Sequence, residues 1–230
     1  MRKSPIMMCL ANGTKTGVLL LLILFSGMQL KAQQLLLKAG MNLARLEMQE
    51  EDEDQSSLLG VQAGLVMNLG QNGPYSFAPE LLLSEKGIKY VHSYDQGQQA
   101  ETWRSQLRLL YIELPLMSRL WIWRAGQNGL YLSAGPYLAM GLKGSYMVQI
   151  SSKDEEIEEK IDVEWGKREG LIRLRRWDYG LRVGAGFQLS RFQLEAGFQQ
   201  GLANIMPDEL TEDRVNHQLF SFSVAYQLTH

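Results

Sequence analysis

Cysteine is almost missing from this 230-residue chain: the one present, Cys9, lies ahead of the first apolar run and is lost with the leader inferred below. A disulfide framework and thiol chemistry are therefore excluded from the mature chain. Histidine is nearly as scarce, with only His92, His217 and His230. No two stand at metal-ligand spacing, and although Ser93 and Ser221 lie close in sequence to two of them, nothing marks a nucleophile-base-orienter set. No glycine-rich loop opens a helix, as phosphate binding would require. The expectation is no catalytic residue, no metal site, no cofactor and no enzyme. Long hydrophobic runs are missing too: Val18 to Phe25 (VLLLLILF) spans eight residues, well short of the ~20 a membrane helix needs. With 21% charged residues, a polytopic helical protein is excluded.

That short run follows Arg2, Lys3 and Lys15 and precedes the polar segment Leu30-Lys31-Ala32-Gln33. A positive start, a short apolar core and a small residue at the cut point are the features of a secretory signal peptide. Residues 1–32 are read as a leader cleaved after Ala32, and residues 33–230 as a single exported domain. Cleavage removes four basic residues and leaves 19 (23 less 4) against 25 acidic ones. A net charge near minus six gives no reason to expect nucleic acid.

What the chain does have is alternation. In Trp177 to Leu202 (WDYGLRVGAGFQLSRFQLEAGFQQGL) one set of alternate residues is Trp177, Tyr179, Leu181, Val183, Ala185, Phe187 and Leu189. The other set is Asp178, Gly180, Arg182, Gly184, Gly186 and Gln188, and the pattern resumes after Ser190-Arg191. A period of two on both sides of a minimal turn predicts a long β-hairpin. A soluble sheet would carry Lys, Glu and Thr on its polar face. Here that face carries glycines with single charges at Arg182 and Glu195, which suits the crowded inside of a narrow closed barrel. The apolar face is then expected to meet lipid.

The same alternation predicts strands at Gln34–Ala44, Leu59–Leu69, Tyr75 to about Tyr90, Leu107–Ile122, Leu130 to about Tyr146 and His217–Leu228. With the hairpin the count is eight, and the connections alternate long and short. An up-and-down barrel in a bilayer produces that alternation, with tight turns on the periplasmic side. The fold class expected is an all-β, eight-stranded antiparallel up-and-down transmembrane β-barrel in the outer membrane. Polar loops are expected at His92–Gln106 and over the charged segment Ser151–Arg176. An aromatic girdle is expected from Tyr75, Trp121, Trp123, Phe192 and Tyr226 at the short-turn end, and from Tyr90, Trp165 and Trp177 at the other. The competing reading is a secreted soluble lipocalin-like barrel with the apolar face turned inward around a small apolar ligand.

KAGMN, PELLLSEKG, YIELPLMSRL, LSAGPYLAMGLKG and the YGLRVGAGFQL–FQLEAGFQQGLANI hairpin, in that order, resemble the PorT-like outer-membrane β-barrel family of Bacteroidetes-type bacteria. The resemblance spans nearly all of the mature chain. It implies an eight-stranded outer-membrane barrel; one member type is associated with a secretion machinery, while most members have no assigned activity. Partners expected are outer-membrane lipid and lipopolysaccharide, together with envelope or secretion proteins, around a monomeric barrel.

The polar face gathers Lys38, Glu80, Glu113, Arg119, Arg182 and Glu195. Charges sealed in a narrow barrel must pair, so Arg182 is expected opposite Glu195 or Glu113, and the set is expected to plug the barrel rather than conduct. Outside the barrel, Arg173, Arg175 and Arg176 in KREGLIRLRRW are candidates for gripping lipopolysaccharide phosphates. Balancing the acidic run DEEIEEKID is the alternative role. Glu47–Asp54 (EMQEEDED) lacks the glycine turn of a calcium loop and reads as a solvated segment.

Overall fold

A computed structural model of the chain describes residues 34–47, 55–70, 73–96, 99–151, 156–165, 173–206 and 215–229. The leader and most of the acidic segment after Glu47 lie outside them. The strands are β1 (Gln34–Glu47), β2 (Gln55–Asn68), β3 (Tyr75–Gln96), β4 (Gln99–Ala125), β5 (Asn128–Ser151), β6 (Glu156–Asp162), β7 (Glu164–Trp165), β8 (Arg173–Leu174), β9 (Trp177–Leu189), β10 (Phe192–Gly201) and β11 (Asn216–Gln227).

Eight of them close a ring in the order β1, β2, β3, β4, β5, β9, β10, β11, with every neighbouring pair antiparallel. Closure comes from β11 on β1, where Lys38 faces Ala225 and Met41 faces Phe222; on the opposite side β4 runs along β5. A closed ring leaves no strand edge in the hydrocarbon, so backbone groups are paired within the protein. The tight end is held by Gly70, Gly126 and Ser190, all with positive φ. Ser190 donates its backbone N–H to the Asn128 side chain of the neighbouring turn at 2.9 Å.

Polarity decides between the two barrel readings. Leu181 is 55% exposed and Phe222 63%, whereas Arg182 is 1% and Glu195 6% exposed. The greasy face looks out and the charged face looks in. A lipocalin-like carrier needs the reverse, so that alternative is overturned.

Two sequence expectations are corrected. His92–Gln106 is not a loop: β3 runs to Gln96 and β4 starts at Gln99, paired out to Gln96–Gln99. Likewise β5 continues to Ser151 and β6 pairs back on it, while β7 and β8 form a two-residue parallel pair. Beyond the apolar belt the sequence no longer alternates apolar with polar residues, so a period of two does not reveal these strands. As a result β3, β4 and β5, at 22, 27 and 24 residues, far exceed the ~9–11 needed to cross hydrocarbon. They project from the long-loop end with β6 alongside.

Two apolar clusters lie along the lumen. Leu36, Val66, Ala78, Met117 and Ala225 pack toward the short-turn end. A larger set at the other end joins Ile88, Leu107, Leu109, Tyr111 and Tyr137 to Val163, Leu174, Ile205 and Val215 from the connections.

Candidate functional site: the charged lumen

Between the apolar clusters the described residues bury four cations and four anions: Lys38, Lys86, Arg119 and Arg182 against Glu80, Glu113, Asp178 and Glu195. Each is placed by alternation on its strand. Glu80 and Lys86 sit in one phase of β3, Arg182 and Asp178 in one phase of β9, and the residues between them face out.

The charges fall into two groups. Toward the short turns, the Lys38 Nζ lies 2.9 Å from Glu80 Oε2 and 2.8 Å from Glu195 Oε1. Arg119 Nη2 stands 3.7 Å from Glu80 and 3.4 Å from Glu195. Arg182 reaches Glu80 at 3.8 Å and Glu195 at 3.4 Å. Spare donors are used as well: Arg119 Nη1 donates to Asn68 at 2.7 Å and to Gln193 at 3.1 Å. Tyr131 donates its hydroxyl to Glu195 at 3.1 Å, and its ring centroid lies 4.5 Å below the Arg119 guanidinium carbon. Trp121 leans on that ring and donates to Ser76 Oγ at 2.9 Å.

Two glycines make the room. A Cβ on Gly186 would sit 2.2 Å from Tyr131 Cζ, and one on Gly197 would press on Ser221 Oγ and Arg182 Nε. Glycine is therefore required at 186, where the Tyr131 ring crosses the narrow interior, while at 197 an added Cβ would make the Ser221 and Arg182 side chains shift.

Toward the long connections, Lys86 Nζ lies 2.6 Å from Glu113 Oε1 and 2.9 Å from Asp178 Oδ2. Tyr137 donates to both Asp178 oxygens at 3.2 Å. The ammonium stands 4.8 Å from the Tyr137 ring centroid and 5.1 Å from that of Tyr111. Tyr111 in turn meets His217 Nε2 at 3.2 Å. His217 is thus a buried residue of β11, within the strand expected from the sequence, and it joins an aromatic wall.

Of the six charges expected from the sequence, Lys38, Glu80, Arg119, Arg182 and Glu195 come together, with Arg182 on Glu195. Glu113 does not join them; it pairs with Lys86 in the second group. Sequence reasoning missed Lys86, and it placed Asp178 in the polar set of the hairpin without counting it among the lumen charges. The signal was present, since Glu80, Leu82, Ser84 and Lys86 share one phase of β3. The run of three leucines obscured it.

Outside the lumen, Arg175 and Arg176 are exposed, and Arg176 Nε donates to the Gly141 carbonyl at 3.1 Å; the side chain of Arg173 lies outside the described residues. Tyr75, Trp123, Phe192, Tyr226 and Trp177 face outward, as a girdle requires. Trp121, Tyr90 and Trp165 do not: Trp121 faces the lumen, and the other two pack against the upper apolar cluster. Strand ends collect aromatics for internal packing as well as for headgroups.

No curated protein matches the chain in sequence. Among solved structures it is similar to the attachment invasion locus protein Ail of Yersinia pestis (12% identity, TM-score 0.40, covering 85% of this chain and 99% of that one). It is also similar to Neisserial surface protein A (11%, 0.37, 86% and 100%) and to the N-terminal β-barrel domain of Pseudomonas aeruginosa OprF (10%, 0.30, 86% and 100%). The family model described as outer membrane protein beta-barrel domain matches residues 30–206, most of the chain and seven of the eight ring strands. Together with an inside-out polarity and a closed antiparallel ring, that match makes this chain a member of the outer membrane protein beta-barrel domain family, resident in the outer membrane.

Proposed function

We propose that the protein is a sealed, non-enzymatic and monomeric barrel whose membrane domain serves as an anchor and whose projecting β3–β6 sheet is a contact surface for envelope proteins. The observation that carries this reading is the lumen: four buried cations and four buried anions, stacked between apolar clusters at both ends. An eight-stranded barrel is only just wide enough for its side chains. A hydrated ion would have to displace paired charges and then cross grease, losing the hydration that makes a path conductive. Pure protein in a planar bilayer is expected to give no steady conductance. Steady, large, ohmic steps would remove the sealed-lumen reading.

The finer reading is a PorT-like accessory to protein secretion. It is supported by the resemblance of the motifs in β1, β3, β4, β5 and the β9–β10 hairpin, and by the length of β3 to β5 beyond the hydrocarbon. Arg173, Arg175 and Arg176 are proposed as lipopolysaccharide contacts near the start of β9. In intact envelopes, crosslinkers placed at exposed sites of the projecting sheet are expected to capture secretion components. Capture of abundant barrels only, unchanged when the sheet is deleted, would discard the accessory role.

A further inference from the structure

We infer that the outer face of β3, β4 and β5, where the apolar belt ends on the long-loop side, is a binding site for the phosphate of a membrane-embedded glycolipid of the lipid A type. This goes beyond the sealed-anchor reading and uses none of the lumen residues.

The level of the site follows from β4. Its outward row runs through Ile122, Leu120, Ser118, Leu116, Leu114, Ile112 and Leu110, apolar at every position but Ser118. At ~3.3 Å per residue and a typical barrel tilt this covers roughly 30 Å, the thickness of the hydrocarbon. The next outward residues are Arg108, Gln106 and Arg104, at the height of headgroups. In an outer membrane the leaflet on this side is lipopolysaccharide.

Register brings the cations together there. Gln106 faces Lys89 on β3 and Met147 on β5, and Arg104 faces Gln149. Lys89, Arg104, Ser105, Gln106, Met147 and Gln149 enclose a pocket of about 180 Å³. Below it a register shift aligns Leu110 with Lys143 and Tyr111 with Gly141. The bulge therefore turns both Leu142 and Lys143 outward, and both are exposed. Bulges re-aim side chains in this way.

The cations of this face are only partly ion-paired among the described residues, although the exposed Glu158 of β6 stands in register with the pocket residue Gln149. Arg108 pairs with Glu85 at 3.1 Å, whereas Lys89, Arg104 and Lys143 have no ion-pair partner among the described residues. The same height on β1, β10 and β11 is different. There Arg45 donates to Gln218, Gln218 to Gln200 at 3.1 Å, and Gln200 to Glu47 at 2.6 Å, a chain that uses up its own charge. Two cations without an ion pair among the described residues, at the lip of a polar pocket, suit a phosphate monoester by charge-assisted hydrogen bonding. The apolar row beneath, from Leu110 to Leu116, supplies a bed for acyl chains, which commits the ligand to a lipid rather than a free sugar phosphate.

The test uses the full mature chain, folded in detergent and stripped of lipid, with retained lipid read by native mass spectrometry. Probes are bis-phosphorylated lipid A, phosphatidylcholine and acyl-free glucosamine 1-phosphate. Wild type is expected to prefer lipid A, and K89Q/R104Q/K143Q to lose it by at least about tenfold, with heat-modifiable gel migration unchanged. The single R104Q variant, expected to lose about threefold, serves should the triple variant fail to fold. Undiminished lipid A retention by the variants overturns the proposal. So does loss caused only by neutralising Arg173, Arg175 and Arg176, or equal binding of glucosamine 1-phosphate.

Discussion

In the turn-side group of the lumen, Glu80 and Glu195 each have the same three cationic partners, Lys38, Arg119 and Arg182. In the loop-side group, Glu113 and Asp178 share one, Lys86. The first group carries an excess of one positive charge and the second an excess of one negative charge, so neutrality holds only for the two together. One arrangement is a mesh that tolerates the loss of a strut. The other is a hub, and it has no substitute at its centre.

This difference sets the largest expected effect. Lys86→Met keeps the volume of the side chain but leaves two carboxylates buried without a cation. Breaking a buried pair from one side costs about 3–5 kcal/mol. Lys38→Met changes the total charge of the lumen by the same amount, yet Glu80 and Glu195 keep both arginines, and the turn-side group becomes locally neutral. Its expected cost is about 1–2 kcal/mol. Urea unfolding of both variants in lipid vesicles, read by tryptophan fluorescence and heat-modifiable migration, measures the two directly. Equal losses, or a larger one for Lys38→Met, would break the mesh-and-hub distinction and leave total lumen charge as the controlling quantity.

The mesh was legible in the sequence and the centre of the hub was not, for a physical reason. Lys38, Glu80, Arg182 and Glu195 lie in the part of the chain that crosses hydrocarbon with an apolar residue on each side, and Arg119 stands between Ser118 and Leu120, so each charge stands out. Lys86 lies between Glu85 and Gly87, where the contrast with flanking residues is gone, whereas Asp178, between Trp177 and Tyr179, falls in the polar set of the hairpin but was not counted with its single charges. The same fading hid the upper halves of β3, β4 and β5, where apolar and polar residues no longer alternate. Pairing across the lumen was beyond reach as well. Glu113 was assignable to the inside, but its choice of Lys86 over Arg182 depends on stagger between strands, which is set by closure of the ring and not by any local pattern.

A finer probe keeps all eight charges and removes one hydroxyl from each group. Tyr131 donates to Glu195 at 3.1 Å and Tyr137 to Asp178 at 3.2 Å, and Phe preserves the ring beneath Arg119 in one case and beside Lys86 in the other. Tyr131→Phe leaves Glu195 with three cations, so the lost bond is absorbed at a cost of about 0.5–1 kcal/mol. Tyr137→Phe leaves Asp178 with Lys86 alone, and a buried bond to a charged group then counts for more, about 1.5–3 kcal/mol. The ratio carries the information, because the substitution is chemically identical and both rings are buried. If the two variants unfold at the same urea concentration, the carboxylates feel equal support from their surroundings and the count of cationic partners does not govern the stability of the lumen.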